Sequence, residues 1–302
     1  MASHILKRTD LDRVDEEERA WTAPNQLRVV PMTDPERVSS MSSRELRKYF
    51  LVDDLFQPAR LQLTYCDYDR LIVGSAVPSF ETISLDCATV LRADYFTQRR
   101  EIGVINLGGL GTVEVEGSSY ELGNRDGLYI GRGNPSVQFR SQDSARPAAF
   151  YLVSYPAHAT HAVRLIRKQE AEHVVLGDPA TSNRRTLHRY IHQGGVQSCQ
   201  LVMGLTELDT GSVWNTMPVH THERRSEIYL YFDLPDDGVV IHCLGRPQET
   251  RHVVIRNRQA VLSPGWSIHA GAGTSNYSFI WAMGGENQEF ADQTPVPMED
   301  LA

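Results

Sequence analysis

The chain has 302 residues, of which 41% are hydrophobic and 23% are charged, a balance typical of folded globular proteins and not of disordered ones. Its formal net charge of -8 and its lack of Lys and Arg clusters argue against a nucleic-acid partner, because phosphate neutralisation needs clustered cations. Four cysteines without C-x-x-C spacing, no apolar signal core and no bilayer-length apolar segment predict free thiols, a cytoplasmic location and no membrane partner.

The first 41 residues differ in composition from the rest. They are rich in Asp, Glu, Arg, Ser and Pro, and a possible helix from Asp10 to Trp21 has little apolar periodicity. We interpret residues 1–41 as an extension that is mobile or packs on a neighbouring surface. A short helix is expected at 42–50, where the first folded domain begins.

Strand signals then dominate both halves of the chain. Apolar runs separated by Gly, Asn and Asp predict strands at 70–78, 102–107, 112–116, 128–130, 200–206, 227–232, 238–243, 251–255, 260–262 and 277–281. Residues 159–190 are polar and loop-like and predict the crossing between two domains. The expected fold is all-β, a sandwich or barrel in each half, with domains at 42–180 and 181–302.

The two halves also look like copies of one unit. The segment that begins at Arg99 resembles the one that begins at Arg225, and 127–131 resembles 260–264. A repeat of this length indicates two copies of a domain. The alignment places Glu101 opposite Glu227, but Asp94 and Phe96 opposite His220 and His222.

One motif in the second half has the spacing of a metal site. His220, His222 and Glu227 form the pattern H-x-H-x4-E. Alternate residues of a strand share a face, so the two imidazoles point the same way. Glu227 lies an odd number of residues beyond His222, and a turn at 223–225 is needed to bring it to that face.

A fourth ligand is available after a later strand and turn. His269 ends the segment Pro264-Gly-Trp-Ser-Ile-His269, and later strands of a small antiparallel barrel can run beside earlier ones. Three nitrogens and one oxygen suit Zn, Fe, Mn, Co or Ni. The repeat predicts one metal per chain, because the first copy lacks the histidines.

These motifs resemble those of the cupin superfamily, although Trp266 stands where many cupins have a glycine. Longer segments resemble the 5-keto-4-deoxyuronate isomerase family more closely; they begin at Arg99, Thr181, Gly204, Trp214, His220, Gly245, Ser263 and Gly284. The resemblance covers roughly residues 42–302.

The resemblance implies a bicupin of two antiparallel jelly-roll barrels with a few short helices. It implies zinc bound by His220, His222, Glu227 and His269, and a homohexamer. The implied reaction is an aldose–ketose isomerisation of 5-dehydro-4-deoxy-D-glucuronate to 3-deoxy-D-glycero-2,5-hexodiulosonate, in pectin or related polyuronide breakdown. Two alternatives remain open: a 5-deoxyglucuronate isomerase of inositol catabolism, and a non-catalytic sugar-acid-binding cupin.

Such a reaction needs a base and a clamp for the substrate carboxylate. Glu223, beside the ligands, is the first candidate for the base, with Glu249 and Glu286 as alternatives. Arginine suits a bidentate carboxylate contact, and the candidates for substrate binding are Arg184, Arg185, Arg224, Arg225 and Arg251, with Trp266 as a wall of the site.

Overall fold

The computed structural model describes residues 27–86, 89–289 and 291–302. The possible helix at 10–21 and most of the predicted extension lie outside the described residues. Residues 28–41, at the end of that extension, are folded. Val30, Val38 and Met41 are buried in the large hydrophobic core, so this part of the predicted extension packs on its own chain.

Strands make up most of the described chain. In the first half they are β1 (Arg28–Val30), β2 (Leu51–Val52), β3 (Leu61–Cys66), β4 (Ile72–Ala76), β5 (Ile83–Ser84), β6 (Arg100–Asn106), β7 (Gly111–Val115), β8 (Ser118–Leu122), β9 (Gly127–Ile130), β10 (Val137–Ser141), β11 (Phe150–Pro156) and β12 (Arg164–Ile166). In the second half they are β13 (Glu172–Leu176), β14 (Arg185–Ile191), β15 (Val202–Leu208), β16 (Trp214–Asn215), β17 (His220–His222), β18 (Ser226–Phe232), β19 (Val240–Arg246), β20 (Glu249–Ile255), β21 (Gln259–Ser263), β22 (Ala270–Gly273), β23 (Ser278–Gly284) and β24 (Gln293–Pro295).

The described residues contain two short α-helices, α1 (Pro35–Val38) and α2 (Ser43–Phe50). Helix α2 begins with a capping box, in which Ser42 and Glu45 bond each other's backbone N–H, and it buries Leu46 and Phe50. Single 3-10 turns occupy Tyr68–Arg70, Thr89–Leu91, Phe96–Gln98, Lys168–Glu170, Pro179–Thr181 and Met298–Asp300. Neither described α-helix has the length and apolar run that crossing a membrane requires.

Each half pairs a seven-stranded sheet with a four-stranded one. The first half has the orders β1-β3-β4-β11-β6-β9-β12 and β5-β10-β7-β8. The second has β13-β14-β15-β23-β18-β21-β2 and β16-β22-β19-β20, plus the small pair β17-β24. The central orders β4-β11-β6-β9 and β15-β23-β18-β21 correspond, as a repeat predicts. The expected all-β fold of two antiparallel barrels is confirmed.

The strands do not divide cleanly between the halves. Strand β2 pairs with β21, and β13 pairs with β14, so two strands that precede residue 181 hydrogen-bond into the second sheet. The domain limits at 41/42 and 180/181 stay a prediction. The expectation that residues 159–190 form a loop is wrong, since β12, β13 and most of β14 lie there. Strand β13 is largely exposed, so it shows no apolar alternation in sequence.

The two large sheets pack against each other across the middle of the molecule. Tyr155 of β11 donates a hydrogen bond to the carbonyl of Ser226, and its ring fills the space that a side chain at Gly284 would occupy. Gly103 of β6 faces Met203 of β15, and any Cβ at this position would lie 2.6 Å from the sulfur. Close backbone approach here joins the halves through one shared core.

The repeat alignment is wrong by one residue at Glu101. Ile102 and Val104 point into the first barrel, so Glu101 faces the second half. There it is fully buried and accepts hydrogen bonds from the Tyr129 hydroxyl and from the backbone N–H groups of residues 199–201. A one-residue slip exchanges the faces of a strand, which is why Glu101 is no counterpart of Glu227.

Candidate metal centre

Four side chains of the second barrel converge on one point. One ligand atom from each of His220, His222, Glu227 and His269 lies within 4.8 Å of the others. Oε2 of Glu227 is 3.3 Å from Nε2 of His222 and 3.0 Å from Nε2 of His269. Nε2 of His220 is 3.1 Å from Nε2 of His269. The structure therefore gathers the four residues that the spacing singles out.

Local structure explains how the motif bends. His220 and His222 lie on β17, a turn occupies residues 223 and 224, and Glu227 is the second residue of β18. The turn that the odd spacing requires is therefore present. Gly265 permits a close approach, because a Cβ there would lie 2.4 Å from the carbonyl of His222. This contact places the segment that carries His269 against the motif.

The unpaired atoms of the cluster fit a cation. Nε2 of His222 and Oε2 of Glu227 are buried and have no hydrogen-bond partner within the described chain. Unpaired polar atoms in a protein interior are costly, so native sites supply a partner. Two imidazole nitrogens at 3.1 Å cannot both carry protons that point at each other. Three imidazoles and one carboxylate form a donor set that divalent first-row metals accept.

The electrostatics of the cluster also favour a bound cation. Burial, followed by the proximity of His269, lowers the pKa of His220 to about 3, so the ring is neutral and its nitrogen lone pair is free to bind a cation. Burial opposes ionisation of Glu227, but His269 and His222 outweigh it and hold the pKa of this carboxyl below its ordinary value. Metal ligands need both properties, a neutral imidazole and an ionised carboxylate.

A second carboxylate supports the cluster from behind and was missed by the sequence analysis. Oδ1 of Asp292 lies 3.6 Å from Nδ1 of His222, and Oδ2 accepts a hydrogen bond of 2.9 Å from Nε of Arg225. Strand β24, which follows Asp292, pairs with β17 so that Gln293 lies opposite His222. The pairing of β24 with β17 brings Asp292 to the site, and no local sequence motif predicts this.

The three predicted bases are exposed. Glu223 lies in the turn beside His222, Glu249 begins β20 on the rim of the outer hairpin, and Glu286 pairs with Arg224 at 2.7 Å. The carboxylates whose charges act on His220 are instead Glu227 and Asp292. The structure therefore does not bring any of the predicted bases into the buried cluster.

The five candidate arginines have different partners. Arg184 pairs with Asp209 at 3.1 Å, and Arg251 donates to the carbonyl of Met41. Arg225 is fully buried and bonds Asp292 and the backbone of residues 287 and 289. Arg224 pairs with Glu286, so each of these four arginines has a partner within the described chain.

Arg185, like Arg251, has no carboxylate partner in the described chain. Its hydrogen bond in the described chain goes to the carbonyl of Asn183, and no carboxylate within that chain pairs with it. The guanidinium is half-buried at the start of β14, close enough to Tyr229 and Tyr277 for their charges to affect it; burial itself lowers the pKa of Arg185. The two tyrosines lie inside the second barrel, so Arg185 reaches towards its interior.

Trp266, predicted as a wall of the site, packs against the large hydrophobic core. Its ring packs edge-on against Phe50 of α2, with ring centres 6.4 Å apart, and joins the large hydrophobic core. Tyr229 and Trp281 line the barrel instead. Tyr229 lies against His269 with ring centres 5.4 Å apart, and Trp281 donates a hydrogen bond to the hydroxyl of Thr206.

Comparison with known proteins shows which family this chain resembles. The family model described as the KduI/IolB family matches residues 55–296. A protein named 4-deoxy-L-threo-5-hexosulose-uronate ketol-isomerase from Shouchella clausii is 53% identical over 267 residues, which cover 88% of this chain and 97% of the relative. One of the same name from Escherichia coli strain SE11 is 49% identical over 264 residues, 87% of this chain and 95% of the relative.

Solved structures agree on the fold. An IolB-like protein from Salmonella typhimurium superposes with a TM-score of 0.68 at 16% identity, over 82% of this chain and 96% of that one. An oxalate decarboxylase from Bacillus subtilis, described with Mn(II) centres, superposes with a TM-score of 0.53 at 10% identity, over 75% and 71% of the two chains. At these identities the likeness concerns the fold alone.

Proposed function

The chain belongs to the KduI/IolB family, and we propose that it is the metal-dependent ketol-isomerase that converts 5-dehydro-4-deoxy-D-glucuronate to 3-deoxy-D-glycero-2,5-hexodiulosonate. The observation that carries the proposal is the buried cluster of His220, His222, Glu227 and His269 in a chain about half identical to relatives of that name. The reaction is an intramolecular oxidoreduction, in which an aldose becomes a ketose.

The chemistry moves a proton from a hydroxyl-bearing carbon to the neighbouring aldehyde carbon through an enediol. His220, His222, Glu227 and His269 would hold a divalent cation, which would supply a Lewis acid able to polarise the carbonyl oxygen and stabilise negative charge. The chain's own part begins with orientation. The neutral imidazole of His220 and the ionised Glu227 present their lone pairs to one point, and the buried walls around Tyr229 keep bulk water away.

We assign the substrate carboxylate to Arg185. Arginine binds carboxylates through two parallel hydrogen bonds, and an arginine already paired within the protein has little capacity left for a ligand. Arg184, Arg224 and Arg225 pair with carboxylates. Arg251 and Arg185 bond backbone carbonyls and have no carboxylate partner in the described chain, and of these two Arg185 is the one close to Tyr229, whose ring lies against His269. Trp266, packed against α2, stays a weaker proposal for a substrate contact.

The base remains a proposal among the three predicted glutamates. Glu223 ranks first because it adjoins His222 in the chain and no cation in the described chain pairs with it, whereas Glu286 is bound to Arg224. The Glu223→Gln variant tests it, since loss of a general base slows turnover about 100-fold or more. An undiminished rate in this variant removes Glu223 and leaves Glu249 and Glu286 as the candidates, which the corresponding Gln variants test.

The same proposal includes zinc as the metal, one per chain, a homohexameric assembly, a cytoplasmic location and a role in pectin or polyuronide breakdown. The donor set of three imidazoles and one carboxylate supports zinc but also accepts Fe, Mn, Co or Ni. Metal analysis of the protein purified without added metal, with its mass in solution, tests the first three points.

A substrate panel tests the function itself. Purified protein is assayed with 5-dehydro-4-deoxy-D-glucuronate and, separately, with 5-deoxyglucuronate. We expect ketose formation from the first, at a kcat/KM well above that for the second. Preference for 5-deoxyglucuronate would assign the alternative isomerase, and binding without turnover of either sugar would indicate a non-catalytic sugar-acid-binding protein.

A further inference from the structure

A buried histidine lies inside the second barrel beyond the four ligands. His242 is on β19, with no exposed surface, and its backbone pairs with that of Gly271 on β22. Its Nδ1 lies 2.8 Å from the hydroxyl of Tyr231 on the facing sheet. In sequence His242 has no motif around it.

The other nitrogen of this ring has no partner. Nε2 of His242 is buried and makes no hydrogen bond within the described chain. Asn215 lies on the other side of Gly271 in the same row of the sheet, and its Oδ1 is also buried and unpaired. Two orphaned polar atoms in one row of a barrel interior indicate that a polar ligand completes them, either internal water or an oxygen of a bound molecule.

A Tyr231 hydroxyl that donates to Nδ1 of His242 leaves the ring proton on Nε2. Nδ2 of Asn215 donates to the Tyr231 oxygen at 3.4 Å, so the Tyr231 hydroxyl is free to donate to Nδ1 of His242. Burial lowers the pKa of His242 to about 3, and the ring is neutral. Its single proton is then on Nε2, which is a donor without charge. Such a group suits a hydroxyl or carbonyl oxygen better than a carboxylate.

His242 is near the metal cluster without being part of it. The ring of Tyr229 contacts both His269, at 5.4 Å between ring centres, and His242, at 6.0 Å. Gly271, opposite His242, is two residues beyond His269, which is about 7 Å along a strand. A six-carbon sugar acid held at the cluster is long enough to reach this level of the barrel.

We propose that Nε2 of His242 donates a hydrogen bond to a hydroxyl or carbonyl oxygen of the substrate, and that Tyr231 and Asn215 hold the ring in the tautomer this requires. This rests on the proposed function and adds a catalytic residue to it. The two residues contact different groups of the substrate. Arg185 binds the carboxylate, and neutral His242 binds an uncharged oxygen of the same molecule.

Two substitutions separate the proposed contact from a structural role. In His242→Gln the amide NH2 reaches the position of Nε2, whereas in His242→Asn the shorter amide replaces Nδ1 and keeps the bond to Tyr231. We expect His242→Asn to lower kcat/KM about 100-fold and His242→Gln to retain more of it. Bound metal stays at the wild-type level in both. His252→Asn, at an exposed histidine on the neighbouring strand, is the matched control and stays at wild-type activity.

The outcomes are distinct. Equal activity of His242→Asn and wild type, or a faster Asn than Gln variant, overturns the assignment and makes the histidine a structural group solvated by internal water. If either variant does not fold or bind metal, Tyr231→Phe is the deciding variant. It keeps the imidazole of His242 but removes the hydroxyl that selects its tautomer. An unchanged kcat/KM in Tyr231→Phe also overturns the proposal. Wild-type protein is assayed first. If it does not isomerise 5-dehydro-4-deoxy-D-glucuronate, the proposed function fails, whereas an active wild type with a fully active Asn variant refutes the His242 contact alone.

Discussion

Asp292 lies with one carboxylate oxygen 3.6 Å from Nδ1 of His222 and the other 2.9 Å from Nε of the buried Arg225. The imidazole thus lies between the Asp292 carboxylate on one side and Glu227 on the other. Carboxylates placed behind metal-binding histidines orient the ring and increase its basicity. The C-terminal segment therefore contributes Asp292 and β24 to the candidate metal centre.

Replacing Asp292 by Asn is expected to weaken metal binding about 10-fold to 100-fold, because His222 loses the charge that orients it. The measurement is competition with a coloured chelator for the metal. Asp300→Asn, at an exposed aspartate of the same C-terminal segment, is the control. If Asp292→Asn binds metal as tightly as wild type, the orienting role of the carboxylate is wrong.

Removing a ligand is expected to have a larger effect. His222→Ala deletes one of three imidazoles and leaves Glu227 buried without one of its two neighbours, so both bound metal and isomerase activity should be lost. Metal content by mass spectrometry and the rate of ketose formation are measured on the same preparation. Activity and metal retained together would refute the ligand assignment, and His252→Ala controls for loss of a histidine as such.

Arg185→Met is expected to raise KM about 10-fold to 100-fold with a smaller change in kcat, because a carboxylate contact far from the reacting carbons contributes binding more than rate. Arg184→Met is a demanding control, since Arg184 is the neighbouring arginine but pairs with Asp209. Steady-state kinetics with the uronate substrate measure both. A higher KM in the Arg184 variant than in the Arg185 variant would reverse the assignment.

Glu101 is expected to stabilise the contact between the two halves without affecting the metal. In Glu101→Gln one oxygen becomes an NH2 group, and at least one of the donors from residues 199–201 and Tyr129 loses its acceptor. A buried unpaired donor costs about 1–3 kcal/mol in the free energy of unfolding. Urea denaturation measures the loss, and Glu81→Gln, on the exposed surface of the same half, should show none. Reduced metal binding by the folded Glu101 variant would contradict its placement.

The stability of the metal-free protein should fall in mild acid. Burial lowers the pKa of His242 from 6.5 to about 3, so between these values the unfolded chain takes up a proton that the folded chain does not. The free energy of unfolding therefore decreases as pH falls below 6.5, whereas above 6.5 the ring is neutral in both states and contributes no slope. One such group contributes at most about 1.4 kcal/mol per pH unit.

His242→Gln lacks this titrating group and should have a shallower slope than wild type. Urea denaturation of both proteins without metal, at several pH values between about 7 and about 5, measures the difference. Other buried groups, among them His220, titrate in both proteins and cancel in the comparison. Identical slopes would show that His242 is not neutral in the folded protein.

The sequence by itself determined the features that depend on local geometry. Strand alternation puts His220 and His222 on one face, the odd spacing requires the turn before Glu227, and apolar runs locate ten of the 24 strands of the described chain. The four-residue cluster could be predicted because its members lie in two short motifs. The predicted runs missed the exposed strand β13, which shows no apolar alternation, and also the buried strand β11.

Only the tertiary structure decided what surrounds the cluster. Asp292 reaches His222 through the pairing of β24 with β17, and His242 meets Tyr231 across two facing sheets. The register of β6 against its neighbours, not its resemblance to β18, sends Glu101 to the interface between the halves. These relationships depend on which distant strands pair and with what register. A local pattern fixes the face that a residue occupies relative to its neighbours in the chain, but not the residue that faces it.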